Sequence, residues 1–120
     1  MEIYFHILAT RLLDRHGLGS KKGTKDLIKK IIKINPDIIH LHNIHGYYLN
    51  YKILFEYLSK TNITIVWTLP DCWAYTGHCA FYSYEKCNRW KTECHNCPQL
   101  MKYPISWYKD RSRKNFKDKL

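Results

Sequence analysis

Two strand-like runs, Asp37 to His42, read as a short buried strand, and the longer Ile63 to Leu69, rich in β-branched residues, flank a stretch from Asn43 to Asn62 that is too long for a hairpin and long enough to carry a helix. Strands joined by so long a crossover run parallel, with the connection in the right-handed sense. Leu49, Ile53, Tyr57 and Leu58 give the intervening segment a helical spacing and mark its expected inward stripe. Strand, helix, strand predicts an α/β fold, a parallel sheet with helices over both faces. Two strands are too few to be stable alone, so the expectation is a piece of a larger sheet.

The flanking segments read as helices. Phe5, Leu8, Ala9, Leu12 and Leu13 recur at helical spacing until Gly17 and Gly19. Ser20 or Thr24 is placed to cap a second helix, with Leu27, Ile28, Ile31 and Ile32 on its inner face and most of the lysines from Lys21 to Lys33 on the other. Pro36 ends it by removing a donor and pushing Asn35 out of the helical region. A last helix is expected between Ser106 and Leu120, with Ser106 as its cap and Trp107, Tyr108 and Phe116 as apolar contacts.

Twenty Lys and Arg against ten Asp and Glu give a formal charge of +10, which favours anionic surfaces, lipid or nucleic acid alike. No run approaches the roughly 18 apolar residues of a spanning helix, and polar residues break up the early sequence where a secretory leader would be apolar. The expectation is a cytoplasmic chain with reduced thiols, placed at most peripherally on the inner face of the membrane.

After Pro70 the periodicity stops for some thirty residues, long for an unsupported loop. This stretch holds all five cysteines. Cys79, Cys87, Cys94 and Cys97 lie close in sequence among Tyr and Trp residues, and Cys94-His95-Asn96-Cys97 has the two-residue spacing of a zinc knuckle. A structural zinc on these four thiolates would replace a missing apolar core, because metal binding energy becomes folding energy. Reduced thiols packed among aromatics, disulfides and an iron–sulfur cluster are the other readings.

His40 and His42 alternate along the first run and so share a face, with His45 following in the loop at its carboxyl end. His40 reads as a hydrogen-bonded core residue. Asp71 follows the second run. If the strands are adjacent, His42, Asn43, His45, Gly46 and Asp71 line one rim, with groups able to bind sugar hydroxyls or phosphate, or to take a proton. No serine or cysteine triad and no glycine-rich phosphate loop is present in the sequence.

The segments Asp37-Ile38-Ile39-His40-Leu41-His42-Asn43-Ile44-His45-Gly46-Tyr47-Tyr48-Leu49-Asn50-Tyr51 and Val66-Trp67-Thr68-Leu69 through Cys97-Pro98-Gln99 resemble the amino-terminal domain of family 4 glycosyltransferases. Bacterial exopolysaccharide and colanic acid-type enzymes are the nearest in kind, and Thr10 to Gly17 also fits. The resemblance implies a GT-B architecture of two Rossmann-like domains. Residues 1–120 then form a partial first domain, a partial Rossmann-like parallel sheet with an irregular Cys-rich segment at 79–97.

In such enzymes the first domain receives a saccharide or lipid-linked acceptor, and the second holds a nucleotide-sugar donor, generally without a catalytic metal. The implied roles are Asp71 and His45 as catalytic groups, His42 and Asn43 as supporting hydrogen-bond groups, and Gly46, Trp73, Thr76, Gly77 and His78 around an acceptor pocket. Trp73 would stack on a sugar ring or pack in the core. The four late cysteines would clamp the loop.

Pro70 departs from the family, which usually carries histidine there, and proline can neither donate to a sugar nor exchange a proton. The chain is therefore expected to be inactive unless a complementing chain supplies the remainder. The rival expectation is a small zinc-stabilised module that binds nucleic acid through its basic faces, recognisable by salt-dependent affinity for single strands.

Overall fold

The two strand-like runs form strands β1 (Ile38–His42) and β2 (Thr64–Thr68), paired in parallel with His40 opposite Val66 and His42 opposite Thr68. They belong to a computed structural model that describes residues 1–120 and divides them into two compact units. The first unit comprises residues 1–6 and 17–70, the second residues 7–16 and 71–120. The helices are α1 (Glu2–Leu13), α2 (Lys21–Ile34), α3 (Tyr51–Leu58) and α4 (Ser112–Lys119).

In the first unit, α3 is the crossover between the strands. Asn50 starts it by accepting from Ile53 N at 3.2 Å, while its own amide group donates to Leu18 O at 2.8 Å. Tyr51, Leu54 and Leu58 are buried, so the inward stripe turns toward Leu54 from the expected Ile53 and Tyr57. Phe55 lies 5.2 Å from the Trp67 ring of β2. Of β1 only Leu41 is buried.

The opposite face carries Ile38, His40, His42, Thr64, Val66 and Thr68, all exposed. The expectation of a sheet covered on both faces is therefore corrected: two strands, one face covered. His40 is corrected with it, being exposed and hydrogen-bonded to Thr68 Oγ1 at 2.8 Å instead of lying in a core.

Helix α2 ends with Asn35 in the left-handed region, its N–H returned to Ile31 O, just ahead of Pro36. Ser20 stands at its N-cap position without a side-chain cap; its hydroxyl donates instead to Tyr47 O at 2.6 Å. The expected apolar face is largely uncovered, with Ile32 60% exposed, and the one buried residue is Thr24. Thr24 Oγ1 donates to Ser20 O and accepts from Asn50 N, which ties α2 to the start of α3.

Helix α1 also reverses its expected pattern. Phe5, Leu8 and Leu13 are exposed, and His6 and Thr10 of the same helix are buried. His6 explains its own burial. Its Nε2 accepts from Gly17 N at 3.0 Å, so the proton sits on Nδ1, which faces Tyr47 O at 2.8 Å. Glycine is required at position 19, because a Cβ there would come within 2.3 Å of the His6 ring.

The second unit is built from the aperiodic stretch. Three short 3₁₀ helices, Trp73–Tyr75, Tyr82–Glu85 and Arg89–Lys91, precede α4. Side chains close the loops where strands are lacking: Thr76 Oγ1 donates to Cys79 O, Gln99 Nε2 to Phe81 O, and Asp110 accepts from Cys97 N. Ser106 is buried and donates to Lys109 O, six residues ahead of a helix that starts at Ser112. Phe116 is buried as expected, whereas Trp107 and Tyr108 are exposed.

Candidate functional site

The sequence-nominated groups divide between the two units. In the first, the carboxyl end of β1 presents His42 and Asn43, both exposed, with the His40 and His42 rings 4.5 Å apart on the bare face. Asn43 takes a positive φ of 29° and its carbonyl accepts from Tyr48 Oη at 2.8 Å. Gly46 is exposed in the same turn, where a Cβ would come within 2.9 Å of the Tyr48 ring. His45, expected at the rim, is 5% exposed.

In the second unit, Asp71 is half-buried and its Oδ1 accepts from Trp73 N at 2.9 Å, which fixes the turn after Pro70. Trp73 is 2% exposed, with its ring 5.5 Å from the His16 ring. Lys119 Nζ lies 3.6 Å from the Trp73 ring centroid and donates to Trp73 O and Thr76 O; burial draws its pKa down to about 7.

Thr76, Gly77 and His78, expected around an acceptor pocket, are buried too. Gly77 is a close approach, since a Cβ there would meet Ser112 O at 2.1 Å. His78 Nδ1 sits 2.6 Å from Asp14 Oδ1, both side chains fully enclosed. Asp14 also accepts Arg111 N at 2.8 Å through Oδ2, and its carbonyl accepts Asn115 Nδ2. Asp14 was missed from sequence, because sixty-four residues separate it from its histidine.

The late cysteines gather at one place. Cys79, Cys87, Cys94 and Cys97 all line a cavity of about 10 Å³, with His78, Trp90 and Ser112 also in its wall. All five cysteines are free thiols, so the disulfide reading is set aside. The Cys97 S–H donates to the Cys79 sulfur, which lowers the Cys79 pKa to about 7 and raises that of Cys97. Burial raises Cys94. No three His, Cys, Asp or Glu side chains form a ready-made metal cage.

No helix is long and apolar enough to cross a membrane. No family model matches the chain, and no solved structure matches it. A protein of Escherichia coli (strain K12) that bears the name colanic acid biosynthesis glycosyl transferase WcaC is 42% identical over 105 residues. The match covers 82% of this chain and 25% of that protein, so the chain spans about a quarter of its relative. Over most of its length, then, this chain is similar to a colanic acid biosynthesis glycosyl transferase, as its strand-end motifs lead one to expect.

Proposed function

We propose that this chain is part of a glycosyltransferase that moves a sugar from a nucleotide-sugar donor to a saccharide or lipid-linked acceptor in cell-surface polysaccharide synthesis. The 42% identity over 82% of the chain carries the reading. The parallel β1–β2 pair supports it, because α/β sheets bind ligands outside the carboxyl ends of their strands. In this proposal the sheet is part of a Rossmann-like domain of a GT-B fold, and the donor half lies in sequence that this chain does not contain.

His42 and Asn43 are the groups that meet acceptor hydroxyls, being exposed at a strand end. Asp71 is half-buried just after the β2 segment, and we assign its carboxylate to the transfer as a proton acceptor. His45 supports the turn from inside. Pro70, exposed at the end of the β2 segment, brings no acid–base group of its own.

The test is a chimera in which this chain replaces the matched quarter of the E. coli relative, assayed for sugar transfer to a lipid-linked acceptor. The expected result is measurable transfer that Asp71→Asn lowers about a hundredfold and Pro70→His raises about tenfold or more. A folded chimera whose transfer is indifferent to Asp71 would remove the assigned role, and one with no transfer even with Pro70→His would remove the reading.

A further inference from the structure

Three buried polar atoms of the second unit, His78 Nε2, Trp90 Nε1 and Ser112 Oγ, have no hydrogen-bond partner in the protein. Buried polar groups are nearly always satisfied, so three in one place call for an explanation. All three belong to residues in the wall of the cavity lined by the four late cysteines. Its roughly 10 Å³ is room for a single atom-sized occupant.

Backbone N–H groups already face two of the sulfurs. Gly77 N–H donates to the Cys94 sulfur, and Gln99 N–H, two residues beyond Cys97, donates to the Cys97 sulfur. Asn96 adopts a left-handed φ of 44°, turning the chain between Cys94 and Cys97, and Arg89 donates to the carbonyls of His95 and Asn96. Such N–H groups stabilise negative sulfur far better than a neutral thiol.

We infer that this cavity is a structural zinc site with Cys79, Cys87, Cys94 and Cys97 as its four ligands, and with His78, Trp90 and Ser112 as hydrogen-bond partners of the ligand sulfurs. Four thiolates satisfy the tetrahedral preference of zinc and leave no open position for catalysis. On binding, each thiol releases its proton to solvent as its sulfur–zinc bond forms, with no change of oxidation state. The resulting anionic centre needs donors, and the enclosed Asp14–His78 pair fixes one of them in place. The sulfurs do not yet meet at ligand distance. Binding draws them inward around a space that is already there, the usual coupling of metal to local folding.

Cys72 is the internal control. It is the fifth cysteine, seven residues before Cys79, and it is absent from the cavity wall, where its backbone N–H bonds to Ala80 O.

The experiment measures metal in the 120-residue chain, purified under reducing conditions, by mass spectrometry and follows alkylation of each cysteine by iodoacetamide. The expected result is about one equivalent of zinc per chain, Cys72 labelled first, and the other four labelled only after a strong chelator. The Cys72→Ser variant should keep its zinc and Cys94→Ser should lose it. Cobalt, a spectroscopic stand-in, should show the visible bands of a tetrahedral thiolate site in the unmutated chain, which keeps the test valid if Cys94→Ser does not fold. Less than about a tenth of an equivalent after zinc reconstitution overturns the inference, as do iron with inorganic sulfide or equal labelling of all five thiols. None of these results bears on sugar transfer, which the chimera tests separately.

Discussion

A carboxylate with no exposed surface must be satisfied by its neighbours, and that of Asp14 is satisfied by two, His78 and the Arg111 amide, while its backbone carbonyl accepts from Asn115. Asp14→Ala leaves two buried donors without acceptors, and such groups each cost about 1–3 kcal/mol. Urea unfolding should show a loss of about 3 kcal/mol, whereas Asp14→Asn, which keeps an acceptor and tolerates the positive φ of 52° at this position, should lose less.

His6 makes a pH-dependent contribution of determined sign. Burial holds its pKa below the ordinary 6.5 despite the Tyr47 carbonyl, so the unfolded chain binds the proton more readily. Stability is then present above 6.5 and falls as pH drops through 6.5 toward the lowered folded value. Thermal midpoints measured from about pH 7 to pH 5 should fall, and the fall should be smaller in His6→Gln. Neither partnership is legible in sequence, because each joins residues far apart in the chain and needs the fold to bring them together.

At the scale of elements, local pattern was readable and the direction of burial was not. The β1–α3–β2 unit follows from strand-like runs and a long crossover, and the structure pairs the strands in parallel with the expected strand ends side by side. Pro36 and Asn35 stop α2 where the backbone chemistry says they should. For α1 the periodicity gave a helix but named the wrong side. His6 and Thr10 are buried because polar groups can enter an interior once hydrogen-bonded, whereas the apolar Phe5 and Leu8 stay exposed. The cysteine block was legible as a cluster from spacing alone. Its supporting shell of Trp90, Ser112 and the Asp14–His78 pair was not, since α4 and the end of α1 come from opposite ends of the sequence.

At the scale of the molecule, the apolar surface left uncovered decides behaviour in solution. Ile38 is 59% exposed and Val66 44%, on the same bare face of a sheet whose two strands each keep one unpaired edge. Strand edges and apolar faces of this kind recruit other chains unless blocked, and the charge of +10 opposes that association only weakly once salt screens it. The 120-residue chain alone should therefore self-associate as salt rises, with the sheet as the contact. Val66→Lys puts a charge in the middle of that face without entering the covered side, and light scattering after size exclusion should find it more monomeric than the unmutated chain at equal salt. An unmutated chain that stays monomeric at every concentration would show the bare face to be harmless. Equal association of both forms would move the contact elsewhere, with the exposed Phe5 and Leu8 of α1 the next surface to charge.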